Sequence, residues 1–326
     1  MKLTTFAWTQ RATETQERLD ARYRLATDDG IYFAHQNIYG FRSRLLTTTR
    51  DGNESGYSED GYILRYIIFW NILKALKTLQ FDSLLDVGGS EGYMCGAIRH
   101  LFGVRVRSCD LSREAGLRAT EIFNVDADTV DGVSLPYLDN SFDVVLSSET
   151  LEHIPDYSKV LNELLRVARK AVIVTVPHDG PERIAQLIRD KVPHAHLHDF
   201  TLESFRDLVP GSYGVRSWGH NSALLKFPFR LVEGKPLDPQ YRKGIKTLLV
   251  KFMNSFIPLF RGIMNETVFK ILLNIDPFLA TKLRTYRGVL FIITKDPDAF
   301  SADTRPNVDI DALLSFKVPL YKMSER

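Results

Sequence analysis

Cysteine is scarce in this chain: Cys95 and Cys109 are the two among 326 residues. That count argues against a disulfide framework and fits a reducing compartment. Neither C-x-x-C nor H-E-x-x-H spacing occurs, so the expectation is no bound metal. No apolar run reaches the ~18 residues that span a bilayer. The opening stretch, MKLTTFAWTQRATETQERLD, holds no apolar core of signal-peptide length. A net charge of +2 argues against nucleic-acid character over the whole surface. Internal repeats and low-complexity tracts are absent too. What is present is 44% apolar and 25% charged, with length for one large α/β domain plus additions or for two domains.

The densest signal is LLDVGGSEGY, Leu84 to Tyr93. An apolar run reaches Asp86, and Gly88, Gly89 and Gly92 follow before a helix-compatible segment, Tyr93 to Leu101. This pattern predicts a buried strand, a tight turn and a helix N-terminus, a cradle for a nucleotide-like ligand. Glycine allows close approach of a ligand to the backbone there.

Strands and helices alternate around it. Tyr62 to Leu79 reads as a helix with one broad apolar face. Strands are expected at Ser83–Val87, Val104–Cys109, Val125–Val130, Ser141–Ser147, Ala171–Val176, Gly214–Trp218 and Gly288–Thr294. Helices are expected from the Ser112 N-cap to Phe123, over Tyr157–Ala168 and over Thr201–Leu208. AVIVTV, Ala171 to Val176, is a continuous apolar strand of the kind covered on both faces. Such alternation implies a mostly parallel sheet with ligands at the carboxyl ends of its strands.

Several motifs recur in a fixed order: LLDVGGSEGY, SCDLS (Ser108 to Ser112), DGVSLPYLDNSFDVV (Asp131 to Val145), SSETLEHI (Ser147 to Ile154), ELLRVARKAVIVTVP (Glu163 to Pro177) and HLHDFT (His196 to Thr201). In these the chain resembles the class I, Rossmann-like S-adenosylmethionine-dependent methyltransferases, in the broad group that acts on small molecules, lipids and glycans and includes the ubiquinone-biosynthesis enzymes. The resemblance covers Phe81 to Pro177, with Gly288 to Thr294 as closing strand. It implies a doubly wound, mostly parallel seven-stranded α/β sheet with an N-terminal helical cap and a helical insertion before the last strand. It also implies S-adenosylmethionine as cofactor. Asp86 would then accept from the ammonium of the cofactor's amino-acid tail, and Gly88, Gly89, Ser90 and Gly92 would admit that tail and the ribose. Asp110, with Leu111 beside it, would accept both ribose hydroxyls. Asp131 and Gly132 would meet the adenine, with Asp126 and Asp128 as rivals for that role. Ser147 would face the sulfonium through its backbone. Ser90 stands where the family's middle glycine is usual. Ser90 and Tyr93 also break the dinucleotide pattern G-x-G-x-x-G, which argues against a nicotinamide dehydrogenase.

Methyl transfer from an activated sulfonium gains much of its rate from alignment. A hydroxyl acceptor also needs a base, and His153 and His196 are the candidates. His153 also reads as a local structural hydrogen bond. His194, His196 and His198 alternate in PHAHLHDF with a metal-like spacing, and a loop anchor is the competing reading. His178 follows the fifth strand.

Residues 231–287 have no family pattern. Tyr241 to Arg287 carries nine Lys or Arg against two acids, a net +7. Ile245, Leu248, Leu249, Phe252, Met253, Phe256 and Ile257 share one helical stripe, broken at Pro258. Basic helices with apolar faces suit an anionic membrane surface, a lid over a greasy acceptor, a dimer interface, or a helical subdomain packed on the core.

The expected organisation is an N-terminal cap over 1–60 with Phe33, Tyr39 and Phe41 beside the acceptor, a cofactor-binding core over 61–230, the basic insertion over 231–287, and the last strand and tail over 288–326. The expected activity is O-methylation of a small-molecule, lipid-linked or glycan acceptor in the cytoplasm, at the inner face of the membrane where 241–287 binds it. The basic patch is coupled to apolar helices and no N/D-P-P-Y-type motif occurs, which argues against a nucleic-acid substrate. The alternative is a non-catalytic cofactor-binding partner subunit in a membrane-associated complex.

Overall fold

The computed structural model describes residues 10–28, 61–190, 195–233, 245–255, 266–296, 300 and 307–316. Phe33, Tyr39, Phe41, His194, Phe256, Ile257 and Pro258 lie outside them. The chain divides into two compact units, Met1–Ser217 with Gly288–Arg326, and Trp218–Arg287. The second unit thus begins at Trp218, whereas the sequence reading starts its insertion at 231.

The first unit is built on a seven-stranded sheet of order β3-β2-β1-β4-β5-β7-β6. Its strands are β1 (Ser83–Val87), β2 (Arg105–Asp110), β3 (Asp126–Thr129), β4 (Phe142–Ser148), β5 (Ala168–Pro177), β6 (Gly214–His220) and β7 (Gly288–Thr294). The pairs β1–β2, β1–β4, β2–β3 and β4–β5 are parallel, and β5–β7 is antiparallel. Sequence order reverses between β1 and β4, so the crevice at their carboxyl ends is a topological switch point, where such sheets bind ligands. β1 and β7 are buried along their whole length, β7 as its apolar run requires and β1 with Asp86 buried inside it.

Helices α1 (Gln10–Asp28), α2 (Gly61–Lys77), α3 (Tyr93–Phe102), α4 (Arg113–Phe123), α5 (Tyr157–Val167) and α6 (Pro181–Arg189) belong to this unit. α2 buries Tyr66, Phe69, Ile72 and Leu73 almost completely. Ser112 caps α4 as expected, its Oγ accepting from the Ala115 N–H at 3.1 Å. Gly92 opens α3 at φ +77°, and a Cβ there would stand 2.6 Å from the Ala119 Cβ, so α3 and α4 touch only because the residue is glycine.

One expected helix is absent. Thr201 to Leu208 is a chain of single turns, with Ser204 N–H to Thr201 C=O, Arg206 N–H to Glu203 C=O and Leu208 N–H to Phe205 C=O. Eight residues ahead of Pro210 gain too few hydrogen bonds to offset helix nucleation. Packing decides instead: the Phe205 ring lies 4.4 Å from Phe291 and 5.6 Å from Phe200, centroid to centroid.

In the second unit, Asp276 on α9 (Glu266–Lys282) is buried and accepts from the backbone N–H groups of Asn221 and Ser222, each at 2.7 Å. α7 (Lys226–Glu233) packs by Phe229 against Phe269 of α9. Helix α8 (Ile245–Ser255), also in this unit, turns several apolar residues of its stripe outward. Leu248, Leu249 and Phe252 are 68%, 56% and 61% exposed, while Val250 is buried. Chain order closes with α10 (Ile310–Ser315), in the first unit, capped by Asp309. Among the described residues no helix is long and apolar enough to cross a membrane.

Candidate functional site

The glycine turn follows β1 directly. The Gly88 and Gly89 N–H groups both donate to the Cys109 carbonyl, at 2.8 and 3.1 Å, which folds the turn over the end of β2. Gly88 has φ +78°, and a Cβ there would stand 2.3 Å from Thr150 Oγ1. The turn therefore lies against the segment that follows β4. Ser90 has φ +51°, a left-handed conformation that glycine adopts without cost. Its presence has a reason that sequence alone did not show: its hydroxyl is hydrogen-bonded to the Tyr23 hydroxyl of α1.

Asp86 and Asp110 end β1 and β2 on either side of this turn. Burial, with the Asp110 charge adding, pushes the Asp86 carboxyl up to about 7. Asp110 receives the Ser90 N–H on Oδ2 at 2.9 Å and the Ser112 N–H on Oδ1 at 2.8 Å. Burial raises its pKa, and the Ser112, Ser90 and Leu111 N–H groups oppose that rise. Each Asp110 oxygen keeps a lone pair for a further donor. α1 closes over the same place. Asp20 accepts from Ser112 Oγ at 2.5 Å and from the Glu114 N–H at 3.1 Å.

The three candidate acids near β3 separate cleanly. Arg107 binds Asp128 at 2.7 Å and Asp126 at 3.2 Å, and Tyr137 donates to Asp128 at 2.7 Å. Those two acids are spent on holding β2 to β3. Asp131 lies outside that clamp, at the turn after β3, and its Oδ1 accepts the Val133 N–H at 3.1 Å. Arg166 fixes the following loop by donating to the Leu135 and Tyr137 carbonyls, at 2.9 and 2.8 Å. Gly132 faces Val160 at ordinary contact distance. Ser147 is fully buried and its Oγ donates to the Val87 carbonyl at 3.0 Å.

Beyond Thr150 lies a cluster of acids and imidazoles. Glu149 has φ +53°, a strained conformation for a residue with a side chain, and its N–H donates to Thr175 C=O at 2.8 Å. Burial raises the Glu149 pKa, opposed by the Arg65 and His196 charges. Burial, with Glu149 adding, raises Glu152 well above its ordinary value. Glu149 Oε1 and Glu152 Oε2 are buried without a hydrogen-bond partner among the described residues. His196 Nδ1 is hydrogen-bonded to Asp179 Oδ2, and the His153 and His196 rings meet edge to face at 5.0 Å. The Leu197 N–H donates to the Glu152 carbonyl at 2.7 Å, tying the histidine loop to the turn after β4.

The other described histidines near this cluster have separate partners. His198 Nε2 donates to the Ile154 carbonyl at 2.9 Å and its ring packs on Tyr157, so it anchors the loop. His178 Nδ1 lies 2.9 Å from the Phe200 carbonyl and 3.0 Å from Asp199, another anchor. His153 makes a backbone contact, Nδ1 to the Ala195 carbonyl at 3.4 Å, and its Nε2 faces Glu152 at 3.6 Å. Sequence reasoning missed Glu149, Glu152, Asp179 and Tyr23. The apolar strand β4 running into the acids of SSETLE was the available signal for the first two.

The sheet order and its switch point are those of the Rossmann-like α/β fold of class I methyltransferases. Residues 85–176 match the family described as "Methyltransferase domain". Norajmaline N-methyltransferase of Rauvolfia serpentina is 31% identical over 101 residues, covering 29% of this chain and 35% of that protein. Sarcosine/dimethylglycine N-methyltransferase of Halorhodospira halochloris is 30% identical over 142 residues, covering 38% of this chain and 50% of that protein. The chain thus spans between a third and a half of the length of these curated relatives. Among solved structures, that of the [4+2]-cyclase SpnF is 16% identical with a TM-score of 0.45, covering 86% of this chain and 96% of that one.

Proposed function

We propose that the chain is an S-adenosylmethionine-dependent methyltransferase that methylates a hydroxyl of a small-molecule, lipid-linked or glycan acceptor. The observation that carries the hydroxyl is the Asp179–His196 pair at the carboxyl edge of the sheet. A ring that donates Nδ1–H to a carboxylate keeps its lone pair on Nε2, the form a base needs. Asp179 acts as a positioning residue by fixing that tautomer.

The residues at the turn fit the cofactor. A Cβ at Gly89 would stand 2.2 Å from Ser108 Oγ and 3.0 Å from Asp86 Oδ2, so this floor of the cradle admits glycine alone. Asp86 would hold the ammonium of the cofactor's tail, Asp110 the ribose hydroxyls, and Asp131 the adenine amino group, with the Gly132 and Ser147 backbone beside them. When bound, S-adenosylmethionine supplies a methyl group already activated for displacement. Tyr23 and Ser90 close the turn from the α1 side and exclude water there.

The test is calorimetric titration with S-adenosylmethionine and S-adenosylhomocysteine, followed by an acceptor screen. Asp110→Ala should weaken binding by on the order of 100-fold, since charge-assisted hydrogen bonds are worth about 1.5–3 kcal/mol each. Affinity should also fall below pH 7, because Asp86, protonated below its pKa of about 7, must ionise to meet an ammonium. A folded wild type that binds neither compound would remove the reading.

A second reading, methylation of an amine, is favoured by the buried oxygens of Glu149 and Glu152, which would hold an ammonium acceptor. Turnover of amines but not alcohols in the same screen would select it. We also propose that 241–287 contacts an anionic membrane surface. Leu248 and Leu249 are exposed beside the exposed Lys251 on α8, and Ile271 and Phe278 are 55% and 64% exposed on α9. Leu248→Asp/Leu249→Asp should lose sedimentation with anionic vesicles. A wild type that sediments no more with anionic than with neutral vesicles would end this proposal.

A further inference from the structure

The acid and imidazole cluster has a geometry that proton removal does not use up. One carboxylate oxygen of Glu152, one ring nitrogen of His153 and one of His196 all lie within 4.8 Å of one another. Both rings are held from behind through Nδ1. That of His153 donates to the Ala195 carbonyl at 3.4 Å, and that of His196 to Asp179. A carbonyl or carboxylate partner requires N–H at Nδ1, so in each neutral ring the lone pair sits on Nε2. Outer partners of this kind orient metal-bound histidines. The second observation is Glu152 itself. It is 1% exposed, and its Oε2 is buried with no hydrogen-bond partner among the described residues. Such an oxygen costs free energy unless a donor or a cation meets it.

We propose that Glu152, His153 and His196 bind a divalent transition-metal ion, with Asp179 and the Ala195 carbonyl as outer partners. This replaces the expectation of no metal. That expectation rested on local sequence spacing, and these ligands come from two separate segments. Two imidazoles and one carboxylate suit Zn²⁺, Co²⁺ or Fe²⁺, whereas Mg²⁺ and Ca²⁺ take oxygen ligands. Metal–ligand bonds of about 2.0–2.2 Å set ligand atoms roughly 3.4 Å apart around a tetrahedral ion, so the three groups close in modestly on binding. The His153 and His196 side chains are 37% and 29% exposed, which gives them room and gives the ion a way in. Three protein ligands leave a position open to an oxygen ligand. The use of that position rests on the methyltransferase reading: an acceptor hydroxyl bound there would lose its proton more readily. In the metal-loaded chain His196 is a ligand, and the ion takes over the task assigned to its lone pair.

Metal binding needs no acceptor to be seen. The full chain, stripped with a chelator, is titrated with Co²⁺ by visible d–d absorption and with Zn²⁺ by calorimetry. The expected result is one equivalent of either ion, and none of Mg²⁺ at the same concentration. Glu152→Gln and His196→Ala should each weaken binding at least 10-fold, and Asp179→Asn by about 10–100-fold. His153→Ala changes a solvent-facing ring and serves as the variant least able to disturb folding; thermal melts check all four. No Co²⁺ band from the wild type would overturn the proposal, as would affinity unchanged in both Glu152→Gln and His196→Ala. Asp110→Ala separates the two readings: it should lose the cofactor and keep the metal. A wild type that binds metal but not S-adenosylmethionine would sustain this site and end the methyltransferase reading.

Discussion

His196→Ala should lower kcat by about 10²–10⁴-fold, the span that a positioned acid–base group contributes. The affinity for cofactor should hardly move, because no turn residue touches this ring among the described contacts. The argument is geometric. His196 is fixed at Nδ1 by Asp179, and the loop that carries it is pinned by His198 on Ile154 C=O and by the Leu197 N–H on Glu152 C=O. Asp179→Asn keeps the size of the carboxylate but no longer requires N–H at Nδ1, so it should cost less than removal of the ring and more than nothing. A KM-against-kcat split distinguishes this from a structural role, since a slack loop would raise the acceptor's KM together with the fall in kcat. A kcat within about threefold of wild type, for the best acceptor in the screen, would sink the assignment.

The glycine turn between β1 and α3 was largely legible and the cluster of acids and imidazoles after β4 was not, and the difference is physical. Asp86, Gly88, Gly92 and Asp110 act through local backbone geometry, so a strand, a turn and a helix start in sequence already place them. That Asp126 and Asp128 are engaged, while Asp131 stands outside their clamp, is a long-range fact carried by Arg107. The Asp179–His196 pair joins residues on either side of α6, and no local pattern reports which loop residue meets which. The Thr201–Leu208 segment looked helical by cap and composition, yet the Phe205 ring stack overrides a helix too short to sustain itself. The α8 stripe had helical period, but period alone does not tell a buried face from an exposed one. Ser90 divides in the same way. Its place where glycine is usual was legible, but its hydrogen bond to Tyr23 of α1 was not.

That contact rests on a buried cation, and Arg118→Met should be the most destabilising single change at the site. The Arg118 and Glu91 side chains are 8% and 0% exposed and meet at 2.6 Å. Arg118 Nη2 also donates to the Tyr23 carbonyl at 2.5 Å, and the guanidinium lies 5.4 Å from the centroid of the Tyr23 ring. One side chain on α4 therefore joins the glycine turn to α1. Its removal takes the cation of this ion pair from the buried Glu91 carboxylate, and losing one partner of a buried pair costs about 3–5 kcal/mol. The melt should shift accordingly. Cofactor affinity should fall as well, because Tyr23 would no longer be held over Ser90. Glu91→Gln in the Arg118→Met background removes the stranded charge and should recover a good part of the loss, which the single variants cannot do. A loss below about 1 kcal/mol for Arg118→Met, or no recovery in the double variant, would mean that the pair is not what fastens α1 to the turn. The coupling also sets an order on events: a change that frees α1 exposes the Ser90–Asp110 edge first, so cofactor binding should weaken before the sheet itself melts.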